Sequence, residues 1–221
     1  MEPTDFFFDV DSTVITRESL LDVVLEAAGR DDGTLEQRLL EITNAGMNGE
    51  FSFEESLKKR LAFAVIRRPH MEAVMERMLE DITEGMETFM NDLRSRGHDV
   101  WLLSAGAREM MLPLAGKLSI PTAQVLANEA VWTEGRLTGF EASPLLKTEG
   151  KAVIIKDLRA RGDVTGRVIM IGDGTSDLHT YEAGAADDFF GFGEHAVRPN
   201  VLEKAPQFFR SVADMRRFVG L

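Results

Sequence analysis

The sequence predicts an α/β fold with a largely parallel sheet and a small all-helical insert after the first strand. Three observations predict it. Apolar runs of the length and character of buried strands recur at 6–8, 100–103, 168–171 and 189–192. Patterns at helical spacing stand between them, the alternation that builds parallel sheets. Residues 16–84 break the alternation, with four helical patterns and no convincing strand.

In chain order, the first strand runs out through Asp9-Val10-Asp11-Ser12-Thr13. Two carboxylates separated by one residue project to the same side of an extended backbone. Side by side they repel and lose hydration. A chain tolerates this where a cation sits between them or where one does proton chemistry. The plainer alternative is a strand running into a polar turn, with Ser12 and Thr13 capping the next segment. The insert then opens with Leu20, Leu21, Val24, Leu25 and Ala28, a helical stripe that Gly29 ends. Leu35, Leu39 and Ile42 form a second stripe, and Ser52-Phe53-Glu54-Glu55 is a capping-box signature for a third helix. Met71, Val74, Met75, Met78, Leu79 and Ile82 form a fourth stripe behind Pro69. Further on, Phe89 and Leu93 lead to Gly97, and Ala152, Ile155 and Leu158 lead to Gly162. Residues 130–140, centred on Glu134-Gly135, read as a β-hairpin. The division that follows is an α/β core at 1–15 and 85–221 and a helical insert at 16–84. Ligands of open α/β sheets bind beyond the carboxyl ends of the strands. An insert leaving just after Asp11 lies over that edge as a cap.

At 221 residues the chain can bury a substantial core, as one domain or one plus an insert. Its net charge of -12 argues against a nucleic-acid surface and makes any anionic substrate depend on local cations. There is no cysteine, hence no disulfide framework and no thiol chemistry, which accords with a reducing, cytoplasmic setting. The N-terminus is acidic at Glu2 and does not resemble a signal peptide. No apolar run approaches membrane-spanning length.

Three more segments complete a chemical constellation. Ser104-Ala105-Gly106 closes the second apolar run; a hydroxyl and turn amides at a strand end can hold an anion, although the same triplet is an ordinary turn. Lys151 opens the helical pattern of Ala152 and Ile155; alone, a lysine is usually solvated. Gly172-Asp173-Gly174-Thr175-Ser176-Asp177 follows the third run. Its glycines let backbone approach a ligand, and Asp173 and Asp177 offer hard oxygens suited to Mg²⁺. Its plainer alternative is an acidic turn with a helix N-cap. Within the insert, Arg60 recurs at helical spacing with Phe53, Leu57 and Ala64. A guanidinium on an apolar side meets a carboxylate, lines a cavity, or snorkels at the margin. Glu18, at the start of the first insert helix, suits the helix dipole. His70, His98, His179 and His195 do not cluster and carry no assigned role.

Together these segments resemble the haloacid dehalogenase superfamily of phosphohydrolases over nearly the whole chain. The resemblance is greatest to the phosphoserine phosphatase branch, whose first motif is similar to Phe8-Asp9-Val10-Asp11-Ser12-Thr13-Val14-Ile15, and whose tail is similar to Gly191-Phe192-Gly193 through Arg198. It implies a Rossmann-like, doubly wound parallel sheet with a helical cap after the first strand. It further implies a Mg²⁺-dependent phosphomonoesterase that releases L-serine from O-phospho-L-serine through an aspartyl-phosphate. By the same resemblance Asp9 is the nucleophile and Asp11 the general acid and base. Ser104, Ala105 and Lys151 hold the phosphoryl group. Asp173 joins the Asp9 side chain and the Asp11 backbone carbonyl around Mg²⁺, with Asp177 in support. Glu18 faces the substrate ammonium and Arg60 its carboxylate, with Met47 and Phe53 as apolar walls or as packing within the cap core. Arg198 is a further carboxylate or bracing position. The implied partner is a small phosphate ester, with no nucleic acid or membrane, and the implied assembly a monomer or homodimer.

Two positions depart from the family pattern. Ala105 stands where glycine is usual, which limits positive φ at the phosphate-binding turn. Ser176 stands where asparagine or threonine is common. Two alternatives stay open within the class: another small phosphate ester, and transfer to an acceptor alcohol. A catalytically silent binding protein is the alternative from another class, against which intact Asp9, Asp11, Lys151 and Asp173 argue.

Overall fold

Strand β1 (Thr4–Phe8) is buried along its whole length, and the molecule is arranged around it. The structure is a computed structural model that describes residues 3–29, 33–47 and 53–221. After β1 come a tight loop at Val10–Val14 and the helices α1 (Ser19–Ala27), α2 (Thr34–Met47), α3 (Phe53–Leu61) and α4 (Arg68–Met78). The chain continues through α5 (Met86–Ser95), β2 (Asp99–Ala107), α6 (Arg108–Lys117) and β3 (Val125–Asn128). A hairpin of β4 (Ala130–Thr133) and β5 (Arg136–Phe140) precedes α7 (Gly150–Arg161), β6 (Arg167–Gly172) and α8 (Thr175–Glu182). Strand β7 (Asp188–Phe192), α9 (Pro199–Lys204), β8 (Gln207–Phe209) and α10 (Val212–Phe218) close the chain.

Six strands form one sheet in the order β3-β2-β1-β6-β7-β8, every neighbouring pair parallel. The chain winds outward from β1 to β3, then returns to β6 and winds the other way, so the doubly wound α/β fold is as predicted. Alternation along the strands divides the core. Phe6 and Phe8 join Leu102, Ile171 and Phe192 on the face covered by Phe89 of α5, Met111 of α6 and Met215 of α10. Phe7 points the other way, stacks on Trp101 at 5.3 Å, and packs with Ile155 of α7 and Leu178 of α8. Each such fully buried phenylalanine contributes roughly 1.5–3 kcal/mol. The first of these clusters runs on into Leu21, Val24, Met71 and Val74, so α1 and α4 share the sheet's apolar core.

The segments entering and leaving α1–α4 pair with each other. Thr16 N–H donates to Asp81 O at 2.9 Å, Thr83 N–H donates to Val14 O at 2.9 Å, and Ile15 bridges Ile82. Ile82 therefore belongs to this connector and not to the fourth helical stripe, which ends at Met78. The strands β3 and β8 were not among the expected ones. They have four and three residues and sit at the sheet edges, too short to carry a distinct apolar run. The 130–140 hairpin forms as expected, with Glu134 and Gly135 both at positive φ. The proposed capping residue Ser52 lies outside the described residues.

Candidate active site

Strands β1 and β6 lie side by side at the point where the winding reverses, with Phe8 opposite Ile171. Asp9 N–H donates to Ile171 O at 2.9 Å, so Asp9 and Asp173 leave adjacent strand ends. Such a reversal opens a crevice at the carboxyl ends of the strands. The loop beyond Asp9 folds back on itself, and Ile15 N–H donates to Val10 O at 3.0 Å. This places Ser12 in the left-handed region at φ 54, a strain of about 1–2 kcal/mol. Ser12 N–H on Arg17 O at 3.0 Å and Ser12 Oγ on Glu18 Oε1 at 2.8 Å offset it.

Lys151 is the second residue of α7, and its ammonium is buried. It stands 2.7 Å from Asp9 Oδ1 and 2.6 Å from Asp177 Oδ1. Burial works against its charge, but the carboxylates of Asp177 and Asp9 outweigh it and raise the lysine above its usual range. Asp177 has its second oxygen on Gly174 N–H at 3.0 Å. Burial and the Asp9 charge push it up to about 7 against the pull of Lys151. Its position depends on Gly172, where a Cβ would stand 2.3 Å from Asp177 Oδ2. Asp173, buried beside it, accepts from Arg198 Nε at 2.8 Å and from Thr13 Oγ1 at 3.5 Å. Burial raises its pKa, opposed by Arg198. Arg198 also reaches Glu18 at 3.4 Å and so ties the α9 start to the α1 start.

Asp11 differs from its neighbour. Its Oδ2 accepts from Ser19 Oγ at 3.0 Å, and its buried Oδ1 has no partner among the described residues. Burial first, then the charges of Glu18 and Asp9, lift it well above the usual carboxylate range, so the proton is favoured there. Across the crevice Ser104 Oγ accepts from Gly106 N–H at 3.0 Å, and Ala105 O accepts from Asn128 Nδ2 at 2.7 Å. This stretch is not a turn, contrary to expectation. β2 runs on to Ala107 with a register shift after Leu103, and Ala105 keeps a negative φ, so a Cβ is accommodated. Arg60 is only 6% exposed and donates from Nε to Ser56 O at 3.3 Å. Burial lowers its pKa, while Glu18 and Asp11 act to raise it.

One cavity is thus lined by Asp9, Asp11, Glu18, Arg60, Ser104, Ala105, Lys151 and Asp173, drawn from both sheet edge and helical insert. Asp177 and Arg198 brace it from behind. The side chains of Met47 and Phe53 lie outside the described residues. Carboxylate oxygens of Asp9, Asp173 and Asp177 come within 4.8 Å of one another. Hard oxygens so placed can hold a divalent metal ion.

The family model described as haloacid dehalogenase-like hydrolase matches residues 6–182. The chain belongs to the haloacid dehalogenase-like hydrolases. Among them it is similar to phosphoserine phosphatases. It is 31% identical to the phosphoserine phosphatase of Mus musculus over 94% of its own length and 89% of that protein. A phosphoserine phosphohydrolase-like protein from Francisella tularensis superposes with a TM-score of 0.87 at 30% identity, covering 98% of this chain and 99% of that one. A phospho-aspartyl intermediate analogue of phosphoserine phosphatase superposes at 0.83 with 24% identity over 99% of each chain, a likeness of fold. No helix among the described residues of this hydrolase is long and apolar enough to cross a membrane.

Several of its site contacts had no sequence signal. The first motif includes Ser12 and Thr13 without giving either a partner, and the structure pairs them with Glu18 and Asp173. Ser19, which bonds Asp11, looks like an ordinary helix-start serine. Asn128 sits at the end of the unrecognised strand β3.

Proposed function

We propose that this hydrolase cleaves O-phospho-L-serine to L-serine and phosphate through an aspartyl-phosphate on Asp9, with Mg²⁺ as cofactor. One juxtaposition supports this above all. Asp9, held by Lys151 at the winding reversal, stands two residues from Asp11, whose buried carboxyl favours its acid form. Asp9 and Asp173, with the Asp11 backbone carbonyl, would hold the ion, and Asp177, occupied by Lys151 and Gly174, steadies them. Bound there, Mg²⁺ offsets the repulsion between Asp9 and a dianionic phosphate.

Asp9 attacks phosphorus in line. The bond from phosphorus to the serine oxygen breaks, and Asp11 gives that oxygen its proton. Water then attacks the aspartyl-phosphate, Asp11 takes the water proton, and Asp9 is freed with release of phosphate. Lys151, the Ser104 hydroxyl and the Ala105 amide hold the phosphoryl oxygens, since catalysis of this kind is largely positioning and charge stabilisation. Residues 16–84 act as the cap that selects the ester. Glu18 meets the ammonium and Arg60 grips the carboxylate bidentately. The buried place of Arg60 in the cavity wall, near Glu18 and Asp11, supports a guanidinium that a ligand anion can reach.

Two measurements test the proposal. Asp9→Asn lowers Mg²⁺-dependent phosphate release about a thousandfold or more while the far-UV spectrum is unchanged; retention of most turnover overturns the mechanism. Arg60→Ala and Glu18→Ala each lower kcat/KM for phosphoserine by about tenfold or more. A change within about twofold, ~0.4 kcal/mol, rejects the head-group assignment. Running the assay with candidate alcohols and following phosphorylated products separates hydrolysis from transfer.

A further inference from the structure

Helices α2 and α3 meet at the cavity through a short polar chain. Ser56 Oγ donates to Ile42 O at 3.2 Å, and Arg60 Nε donates to Ser56 O at 3.3 Å. The residue after Ile42 is Thr43, and Thr43, Ser56 and Arg60 all line the cavity that holds Asp9 and Asp11. Thr43 is 5% exposed, and its hydroxyl is buried with no hydrogen-bond partner among the described residues. A threonine inside a helix ordinarily satisfies itself on the carbonyl four residues back, here Leu39 O. Thr43 forgoes that bond, whereas Ser56 on the same wall is satisfied. The large majority of buried polar groups in native proteins are paired. An unpaired hydroxyl in the wall of a ligand cavity is therefore a place where the ligand supplies the missing partner.

We propose that Thr43 is a specificity-determining residue that donates its hydroxyl hydrogen to the substrate carboxylate held by Arg60. This rests on the phosphoserine reading and adds a residue to it. A carboxylate has about four lone-pair sites, and a bidentate guanidinium takes two of them. The Ser56 link joins the helices that carry Thr43 and Arg60 on one cavity wall, and a hydroxyl donor serves the oxygen sites that the guanidinium leaves. Glu18, held by Ser12 and Arg198, faces the ammonium from α1 instead.

The test compares Thr43→Val, which keeps the shape and removes the hydroxyl, with Thr43→Ser, which keeps the hydroxyl. Substrates are O-phospho-L-serine and p-nitrophenyl phosphate, a phosphate ester without a carboxylate. Thr43→Val is expected to lower kcat/KM for phosphoserine about tenfold, mainly through KM. It leaves p-nitrophenyl phosphate within about twofold, and Thr43→Ser restores most of the loss. The ligand-free Thr43→Val protein melts no lower than wild type, because an unsatisfied buried hydroxyl has been removed. A purely structural role predicts the reverse, a lower melting temperature and equal losses on both substrates, and either result overturns the inference. So does a Thr43→Val enzyme within twofold of wild type on phosphoserine. Failure of the wild type itself to hydrolyse phosphoserine is a separate outcome, which removes the substrate reading and this inference with it.

Discussion

Asp9 and Asp11 are two residues apart and chemically unlike. Asp9 keeps partial contact with the cavity and lies on the Lys151 ammonium at 2.7 Å. Asp11 is buried and faces Glu18 and Asp9, which favours its acid, and one of its oxygens has no partner among the described residues. Asp11→Asn keeps the shape and the Ser19 contact but cannot cycle a proton. Its kcat for phosphoserine is expected to fall about 10²–10⁴-fold with KM little changed; a fall in KM affinity alone speaks against the acid–base role. The motif was legible because an apolar run ending on paired aspartates is rare chemistry in a local window. Ser19, Thr43 and Asn128 were not legible, because a lone hydroxyl or amide has meaning only from what stands opposite it.

At the scale of elements, the strand-to-helix turn after β6 depends on Gly172. A Cβ there meets Asp177, not a yielding surface chain, so Gly172→Ala displaces Asp177 from Lys151. Overpacking of this kind costs about 1–3 kcal/mol. Turnover is expected to drop with the melting temperature, since Asp177 and Lys151 position Asp9. Unchanged kcat in a folded Gly172→Ala protein contradicts that coupling. A second prediction concerns the opposite ends of β1 and β2. His98 is buried, its Nδ1 accepts from Thr4 N–H at 3.2 Å, and its ring meets Phe6 edge-on at 5.4 Å. Burial holds its pKa below the usual 6.5. The unfolded chain therefore binds the proton more readily, and the stability this histidine contributes is present above pH 6.5 and lost as pH falls through its folded value. His98→Asn removes that part of the acid slope and, through lost packing, costs about 1–2 kcal/mol at pH 7. Urea midpoints of both proteins across pH 5–8 check it; parallel curves refute it.

At the scale of the molecule, the proposed Mg²⁺ site at Asp9 and Asp173 predicts a fold that divalent cations stabilise. A ligand that binds only the folded state at a hundred times its dissociation constant adds about 2.7 kcal/mol. For a chain of this size that raises the melting temperature by about 5–10 °C. Mg²⁺ is expected to give such a shift in wild type and little in Asp173→Asn, and equal shifts in both dissociate the cluster from metal binding. By itself the sequence determined the α/β class, the insert after β1 and the segments carrying Asp9, Ser104, Lys151 and Asp173. These follow from apolar periodicity and from local motifs, which a chain carries in one dimension. Only the tertiary structure decided the strand order that sets β1 against β6, the extended path through Ala105, the pairing of Lys151 with Asp9 and Asp177, and the arrival of Thr43 and Arg60 over the same cavity. Those depend on residues distant in sequence packing together and excluding water, and it is that exclusion which favours the acid form of Asp11.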